Sequence, residues 1–449
     1  MTVAGTIAPD TSGDWEAGSG RATPITATLV PHRRALTLAL LTCAYFFSYM
    51  DRQILAILQE DIIKDLRLSD AQMGVLGGLA FAVFYAGLGV PVAWLADRGN
   101  RVRIIAAALA IWSGFTAAGG LAANFTQLLL ARIGVGIGEA GSSPPSHSII
   151  ADLYPPEKRA GAMAVYSLGV GLGAAFGTII GGTVATFYGW RVAMYVIGLP
   201  GLLLAAVIWA VMPEPKRGLS DAQVAMEDGK PTMRDGFRTL FANRAAVHLI
   251  AGFTLTSMIG YGHTAFGPSF LIRSFGFTKL EIALQIAPLA ALIIAFAGVG
   301  SGKIADRLAK KHGLPVQATM VAVCKTVALP CTIAFYLSTS TAVAIPLYLI
   351  SLAFGAIYLG VTFSLIQSEA PVRQRATWAA ITLLINNMIG LGLGPTLVGA
   401  LSDYLKPTYG AESLRYAMFT FAAITPWAIF HYWRVGVLLK RARAARVAA

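Results

Sequence analysis

The dominant pattern along the chain is a series of long apolar runs separated by short polar segments. A run of about 18 or more mostly apolar residues is long enough for a helix that crosses the hydrocarbon core of a bilayer. This pattern predicts twelve membrane-spanning helices. They lie near residues 35–58, 71–96, 104–122, 127–150, 161–185, 192–212, 246–271, 282–304, 317–337, 342–367, 377–401 and 415–437.

One connection is longer than the others and divides the predicted helices into two groups of six. It covers residues 213–244 and contains Pro213, Pro215 and Pro231 among charged residues, which is typical of a linker. We therefore expect an all-α membrane protein with twelve transmembrane helices in two pseudo-symmetric six-helix bundles. The predicted segments are a disordered N-terminal tail (1–32), an N-terminal bundle (33–212), the linker (213–244), a C-terminal bundle (245–438) and a basic tail (439–449).

The composition agrees with a membrane protein and argues against a soluble one. Hydrophobic residues make up 56% of the 449 residues and charged residues only 13%, whereas about 25% charged residues is usual for a soluble domain. Too few ionisable side chains remain to cover soluble domains of this total length. Cys43, Cys324 and Cys331 lie apart in apolar runs, which predicts neither a disulfide framework nor a metal site.

The positive charge is unevenly distributed along the chain and predicts its orientation. Lys and Arg together number 35, and the formal net charge is +13. Of these 35 residues, 23 lie in the tails and in the loops after even-numbered spans, six in the loops after odd-numbered spans, and six inside spans. Because basic residues accumulate in cytoplasmic loops, both termini are expected in the cytoplasm. The excess of base therefore indicates topology rather than a nucleic-acid-binding surface.

Short motifs recur at equivalent places in the two groups of helices. They follow the second and eighth spans, and the fourth and tenth spans. The repeated motifs are Asp97-Arg98 and Asp306-Arg307, and then Pro155-x-x-x-Arg159-Ala160 and Pro371-x-x-x-Arg375-Ala376. Two repeats joined by a linker are typical of membrane transporters, whose binding sites lie near the bilayer midplane between the repeats.

These motifs give the chain a family resemblance over roughly residues 33–440. The two Asp-Arg motifs, each followed by a basic cluster, resemble the cytoplasmic gating loops of the major facilitator superfamily. Within that superfamily the chain is most similar to the Spinster-like transporters of sphingolipids and lysophospholipids. The segments that carry this similarity are Tyr49-Met50-Asp51-Arg52, Asp97-Arg98-Gly99-Asn100-Arg101 and Gly136-Ile137-Gly138-Glu139-Ala140.

The resemblance implies a cytoplasmic gate that closes when the central cavity faces outward. Asp97 and Asp306 would latch neighbouring helices, since they precede arginines at equivalent positions of the two repeats. Glu369, at the end of the tenth span, is expected to form a gate salt bridge with a nearby arginine. The predicted gate residues are Asp97, Arg98, Arg101, Asp152, Arg159, Asp306, Arg307, Glu369 and Arg375.

Two predicted spans carry charges deep in the membrane. The first contains Asp51 and Arg52, and the fourth contains Arg132 and Glu139. A charge at the bilayer centre costs at least about 2.5 kcal/mol on insertion scales and normally faces the bundle interior with a partner. Seven residues of helix place Arg132 and Glu139 on one face, roughly 10 Å apart, with room for a third group between them. Because the resemblance places the first and fourth helices at the central cavity, Asp51 or Arg52 is expected to fill that gap.

The four charges support a proton-switch hypothesis. An arginine beside a carboxylate favours its charged form, whereas burial without that contact favours the protonated form. We therefore expect Asp51 and Glu139 to be protonation sites, and Arg52 and Arg132 to bind an anionic substrate group and to tune those carboxylates. The alternative is a fixed ion-pair network that only holds the N-terminal half together, although buried ion pairs are a weak source of stability.

Further polar and aromatic residues in the spans are candidates for substrate contact. Aromatic side chains before Asp51 and in the tenth span can hold the apolar part of an amphipathic ligand, and Pro144-Pro145 is expected to bend or break the fourth helix near a headgroup. The predicted substrate-binding residues, in addition to Arg52 and Arg132, are Tyr45, Tyr49, Ser143, His263, Tyr358, Asn386 and Asn387.

Two other features of the spans have mainly structural interpretations. Lys325 lies about 12 Å inside the ninth span, where its long side chain can reach toward the interface, so a structural or lipid-facing role is favoured over a substrate role. The fifth span has glycines at every fourth position, from Gly169 to Gly181. Such a stripe predicts close helix packing, and it is also expected to form a smooth surface on which the two halves rock.

The predicted function is proton-coupled secondary transport of an amphipathic, anionic, lipid-like molecule by alternating access. No catalytic or metal-ligand constellation is present, and without a phosphate-binding loop the proton gradient is the expected driving force, with no cofactor. One alternative is a proton symporter for a soluble organic anion, because such symporters of the superfamily share the first-span Asp-Arg. Another is a membrane sensor that does not transport, although no segment is long enough for a signalling domain. We expect a monomer in the bacterial inner membrane, surrounded by lipid, with no nucleic-acid partner.

Overall fold

The computed structural model describes residues 31–217, 219 and 232–448. Within these ranges the chain is helical and contains no β-strand. The predicted tail of residues 1–32 lies outside the described residues except for its last two positions, and most of residues 218–231 of the predicted linker lie outside them as well. The helix that ends the chain continues to Ala448, through the predicted basic tail.

The N-terminal half is built from long helices that are interrupted at three places: at Gly78, at residues 140–142 and at Gly189. Its elements are α1 (Pro31–Leu66), α2 (Asp70–Gly77), α3 (Leu79–Arg98), α4 (Arg101–Gly119), α5 (Phe125–Glu139), α6 (Ser143–Leu153) and α7 (Pro156–Val211). The fifth and sixth spans are both in α7, which turns at Gly189. This residue has φ 83° and ψ 164°, a conformation that glycine adopts without a side-chain clash.

The C-terminal half repeats this plan with more interruptions. Two of them are π-helical segments, 282–286 and 386–391. The helices of this half are α8 (Met233–Ala242), α9 (Arg244–Phe275), α10 (Lys279–Glu281), α11 (Ala287–His312), α12 (Pro315–Leu337), α13 (Thr341–Gly355), α14 (Tyr358–Glu369), α15 (Arg375–Ile385), α16 (Gly392–Tyr409), α17 (Ser413–Ala422) and α18 (Thr425–Ala448).

The helices agree with the twelve predicted spans. Eight stretches of the described chain are long and apolar enough to cross a membrane, and two of them, 157–211 and 377–445, each contain two predicted spans. These eight stretches therefore contain ten of the twelve spans. The other two are α1 and the α5–α6 pair, which carry Asp51, Arg52, Arg132 and Glu139. The fourth span is missed by these criteria because its break leaves helices of only 15 and 11 residues.

The fourth and tenth spans are broken at equivalent positions. The fourth is interrupted at residues 140–142, directly before Pro144 and Pro145, which confirms the predicted break. The tenth is interrupted at residues 356–357, between α13 and α14. Ala140 and Ala356 are 216 residues apart, the same separation as Pro155 and Pro371. The break is therefore a feature of both repeats and not a local effect of the two prolines.

Among the described residues, the ion pairs between the two halves lie at one end of the molecule. We call this the far end; it contains residues 60–78, 273–283 and 392–412, and the opposite end, which carries residues 213–217 and 232–244, is the linker end. At the far end α2 packs directly on α16. A Cβ atom added to Gly74 would lie 2.4 Å from the carbonyl oxygen of Pro395. Only glycine allows the two backbones to approach so closely.

The glycine stripe of the fifth span packs within one half rather than between the halves. A Cβ added to Gly173 would lie 2.3 Å from the Phe46 carbonyl oxygen, and one added to Gly177 would lie 2.7 Å from that of Met50. Both acceptors belong to α1. The prediction of tight packing is confirmed, but the predicted rocking surface is wrong for this stripe. The small residues that face the other half include Gly74 on α2, Gly399 on α16 and Gly182 on α7, which is outside the stripe.

Candidate transport site

The deep charges of the N-terminal half form two crossed ion pairs. Arg132 on α5 donates to Asp51 on α1, with Nη1 and Oδ2 3.1 Å apart. The other oxygen of Asp51 accepts a hydrogen bond from Thr116 on α4 at 2.5 Å. The side chains of Asp51 and Arg132 are 2% and 4% exposed, so this pair is sealed inside the bundle.

The second pair joins Arg52 on α1 to Glu139 at the end of α5. Arg52 donates from Nε and Nη2 to Oε2 of Glu139, at 2.9 and 2.7 Å. Ser48 donates to the same oxygen at 2.7 Å. Three donors therefore converge on one carboxylate oxygen, while Oε1 is buried and has no hydrogen-bond partner among the described residues.

Aromatic rings surround the guanidinium group of Arg52. Its central carbon lies 4.9 Å from the ring centroid of Tyr49, 4.8 Å from Phe81 and 4.7 Å from Tyr85. Such contacts favour a cation by cation–π attraction. The Arg52 side chain is 16% exposed, against 1% for Glu139. Of the two arginines, Arg52 is the one that a ligand between the halves can reach.

The arrangement of the four charges differs in one respect from the hypothesis. The gap between Arg132 and Glu139 is filled, as expected, by residues of α1, but both Asp51 and Arg52 take part. Arg132 contacts Asp51 rather than Glu139, so an exchange of Arg132 between Glu139 and a substrate does not match this geometry. Arg52 contacts Glu139 instead. The helix spacing within α5 could not reveal which partner on α1 each charge would choose.

Several tyrosines from both halves lie close to Arg52. Tyr45 stacks on Tyr166 with ring centroids 4.4 Å apart and contacts Tyr49 edge-on. Tyr261 on α9 and Tyr358 on α14 are close enough to Tyr49 to interact with it electrostatically. We define Tyr45, Tyr49, Tyr85, Tyr261 and Tyr358 as the tyrosine cluster; all five are half-buried. Tyr85 and Tyr261 were not recognised in the sequence, because single tyrosines in apolar spans give no local signal.

The other predicted substrate contacts lie at several depths. Ser143 is the half-buried first residue of α6, at the break after Glu139. Asn386 is 3% exposed, whereas the adjacent Asn387 is half-buried. The Nε2 atom of His263 lies 3.2 Å from the carbonyl oxygen of Met418, and its ring packs on Tyr336. The structure therefore places His263 among helices of the C-terminal half, in a hydrogen bond to backbone.

Lys325 is buried inside the C-terminal half. It is 7% exposed, and its Nζ atom lies 4.8 Å from the ring centroid of Tyr358. The lipid-facing position that its long side chain allowed is therefore wrong, because α12 turns this residue toward α14. Metal-site geometry is absent from the described part of the chain, where no three His, Cys, Asp or Glu side chains group together.

At the linker end of the N-terminal half, Arg101 is the centre of a buried network. It is 1% exposed and forms an ion pair with Asp152 on α6. It also donates to Glu214 at 2.7 Å and to the carbonyl oxygen of Pro215 at 2.8 Å. The structure thus joins two predicted gate residues, Arg101 and Asp152, and adds Glu214 from the start of the linker, which sequence reasoning missed.

Two further predicted gate residues form hydrogen bonds within their own halves. Arg159 donates to the carbonyl oxygen of Ala151 at 2.8 Å, and Glu369 accepts a 3.4 Å hydrogen bond from Asn243 within its own half. The other predicted gate residues are exposed: Asp97, Arg98, Asp306, Arg307 and Arg375. Their roles as gate residues stay predictions, since the latch is expected only in the opposite conformation.

The far end carries ion pairs between the halves that the sequence did not reveal. Arg273 at the end of α9 binds both oxygens of Asp70 at 2.7 Å and contacts Glu60 at 2.9 Å. Lys279 forms an ion pair with Asp61. We call these contacts the far-end latch. Each residue alone resembles an ordinary loop charge, so its partner in the other half is visible only in the structure.

Hydrogen bonds at the start of α2 extend the latch. Asp403 on α16 accepts from the backbone nitrogens of Asp70 and Ala71, at 3.2 and 2.8 Å. Ser402 donates to Asp70 at 2.7 Å. A carboxylate at a helix N-terminus accepts hydrogen bonds from free N–H groups, and the positive end of the helix dipole stabilises its negative charge. Here that carboxylate comes from the opposite half and adds to the capping box of Ser69 and Gln72, so part of the cap of α2 depends on closure of the far end.

Two helical bundles that meet at one end and carry charges at their centre are an architecture of membrane transporters. The chain belongs to the Major Facilitator Superfamily, whose family model matches residues 41–395. This membership confirms the expected twelve-helix fold and the resemblance to Spinster-like proteins, and it makes the chain a multi-pass membrane transporter rather than an enzyme.

Relatives cover nearly the whole chain. An MFS-type efflux pump of Mycolicibacterium smegmatis is 30% identical over 92% of this chain and 94% of its own length. A hexuronate transporter of Bacillus subtilis is 26% identical over 84% of this chain and 90% of its own. The structure of a bacterial homolog of the human lysosomal transporter Spinster, inward-facing and unoccupied, matches with a TM-score of 0.82 and 31% identity, over 90% and 97% of the two chains.

Proposed function

We propose that the protein is a proton-coupled secondary transporter of an amphipathic, anionic, lipid-like molecule, and that Glu139 and Asp51 carry the protons. The observation that carries the proposal is the hydrogen bonding of Glu139. Its Oε2 atom accepts three donors, whereas the buried Oε1 atom has no partner among the described residues and is therefore the place where a proton can bind. Protonation removes the charge that holds Arg52, which is then released toward a ligand.

The tyrosine cluster supports an amphipathic cargo. Aromatic rings from both halves next to a half-buried arginine provide an apolar surface beside a cation, which fits an acidic head on an apolar body. The similarity to a Spinster homolog agrees with this assignment. A soluble organic anion is the second candidate, because a relative of nearly equal coverage is a hexuronate transporter.

The conformation supports alternating access in the membrane. The far-end latch joins the halves at the end that carries the loops after odd-numbered spans. The distribution of basic residues predicts that this end is extracytoplasmic, so in this proposal the conformation is the one that admits the cargo from the cytoplasm. We propose that the transporter works as a monomer in the bacterial inner membrane, with both termini cytoplasmic and with the proton gradient as its only energy source.

Proton flux in proteoliposomes tests the proposal. The wild-type protein is expected to take up protons when a lysophospholipid is added, and much less when a sugar acid is added. The variants Glu139→Gln and Asp51→Asn keep the shape of each side chain and are expected to lose the proton-driven component. Glu281→Gln and Asp235→Asn, which change carboxylates that cap helices α10 and α8, are the matched controls.

Three outcomes would decide between the candidates. Undiminished proton-driven flux in both site variants would disprove the role of the two carboxylates. Flux driven by sugar acids and not by lysolipids would establish the second candidate. Ligand binding without any flux would identify a sensor that does not transport.

A further inference from the structure

Lys325 is the one deep charge in the membrane that the transport cycle described above does not use. In contrast to Arg52 and Arg132, it has no carboxylate partner. Among the described residues, its side chain forms no hydrogen bond and no ion pair. It is nevertheless 93% buried, since only 7% of its surface is exposed. A buried ammonium group without an anion is costly, and the ring of Tyr358 compensates only part of its lost hydration.

The surroundings of Lys325 are those of an anion-binding site. Tyr358 is the first residue of α14, at the break in the tenth span, and no side chain of the described residues caps the first turn of that helix. The lysine without an anion therefore lies beside the aromatic ring that begins the first turn of α14. The Tyr358 hydroxyl is 3.3 Å from that of Ser257, so hydroxyl groups are also available.

The break beside Lys325 and Tyr358 can be compared with its counterpart in the N-terminal half. The break before Tyr358 corresponds to the break after Glu139, with the same separation of 216 residues. In the first repeat the break holds an acid that an arginine already neutralises. In the second repeat it faces a cation with no acid. The two halves thus differ in charge at equivalent places, on opposite sides of the tyrosine cluster.

We propose that Lys325, with the hydroxyl groups of Tyr358 and Ser257, binds the acidic group of the cargo, a phosphate or a carboxylate. This inference rests on the proposed function and changes one part of it. The cargo's anion is held in the C-terminal half, while its apolar body lies on the tyrosine cluster and Arg52 stays available for Glu139. A ligand bound in this way contacts both halves, so its binding is sensitive to their relative position.

Binding measurements on the purified full-length protein test the inference. The probes are lysophosphatidic acid, glucuronate and the neutral monomyristoylglycerol, with apparent Kd values from thermal-shift titrations. Lys325→Met keeps the length of the side chain and removes the charge. We expect it to weaken binding of the acidic probe roughly ten- to a hundred-fold, as the loss of one charge-assisted contact predicts.

Two control variants distinguish the effect of the Lys325 charge on binding from the effect of its packing. Lys325→Arg keeps the cation and is expected to stay within about three-fold of wild type. Lys303→Met removes an exposed lysine from the neighbouring helix α11 and is expected to leave all three probes unaffected. Binding of the neutral probe should be the same in every variant, because only the acidic group contacts Lys325. A purely structural role for Lys325 would instead weaken the neutral and acidic probes together.

The result that overturns the inference differs from failure of the proposed function. If wild-type protein transports one of the two acids with protons, and Lys325→Met binds that acid as tightly as wild type, the inference is wrong and the function stands. If wild type shows no proton-driven flux of either acid, the proposed function fails, and lysine-dependent binding of the acids would still support the site.

Discussion

At the scale of single residues, the charges inside apolar spans mark where this protein differs from a helical bundle that has only a structural role. The sequence located Asp51, Arg52, Arg132 and Glu139 because charges are rare inside apolar spans. It did not indicate Thr116, which completes the hydrogen bonds of Asp51. A threonine is common in membrane helices and bonds to its own backbone, so its sequence position alone carries no information.

Arg101 gives a prediction about stability at this scale. It holds the start of the linker on the N-terminal half through Glu214 and Pro215. Arg101→Ala leaves Glu214 without this partner, and breaking a buried ion pair costs about 3–5 kcal/mol. We expect a clear fall in the thermal unfolding temperature in detergent. Arg103→Ala, two residues away and exposed, should change it little; equal effects would contradict a special role for Arg101.

At the scale of the elements, hydropathy predicted the helices well and their interruptions only where proline marked them. Pro144 and Pro145 predicted the break after α5. The equivalent break before Tyr358 has no proline next to it, and the π-helical segments 282–286 and 386–391 have no clear sequence signal. Such irregularities depend on what the neighbouring helices supply to the freed backbone groups, which a single span cannot reveal.

The contact between α2 and α16 gives a prediction for a pair of glycines on one helix. Gly74→Ala puts a methyl group 2.4 Å from the Pro395 carbonyl oxygen, whereas the nearest atom to a Cβ on Gly77 is 3.9 Å away, on Leu55. Overpacking of this kind costs about 1–3 kcal/mol. Gly74→Ala should therefore weaken closure of the far end, measured in a background without the three native cysteines as faster labelling of a cysteine introduced at Ser402, which is fully buried in the closed far end.

Gly77→Ala is the matched control for this measurement. It makes the same chemical change in the same helix and meets only ordinary van der Waals contact. Its labelling rate should equal that of the unsubstituted protein. If both alanine variants label at the same rate, the close approach of α2 to α16 does not control access to the far end.

At the scale of the whole molecule, the proposed alternating access makes this structure one of two conformations. The far-end latch joins the halves at one end, and the acids Asp97 and Asp306 at the linker end are exposed. Alternating access requires that the latch be broken and remade in each cycle. Because its members are partly exposed ion pairs and a shared helix cap, each is strong enough to bias the equilibrium and weak enough to be reversed.

Arg273→Met tests this role of the latch. It removes the contacts with Glu60 and Asp70 together, so the population with an open far end should rise roughly ten-fold, as loss of about 1.4 kcal/mol implies. Spin labels at Lys64 and Lys406, in a background without the three native cysteines, would report a longer distance between the halves. The control is Arg191→Met, whose partner Asp65 belongs to the same half; a similar shift in both variants would argue against the latch.

The sequence by itself determined the number of helices, their grouping in two repeats, the expected orientation and the four deep charges of the N-terminal half. These are properties of single spans and loops, because hydropathy and charge bias act locally along the chain. Only the tertiary structure decided which charges pair. Asp51 meets Arg132 across 81 positions of sequence, and Arg52 meets Glu139 across 87. The same holds for Lys325. It has no carboxylate partner among the described residues, and only the packing of the helices determines which residues surround it.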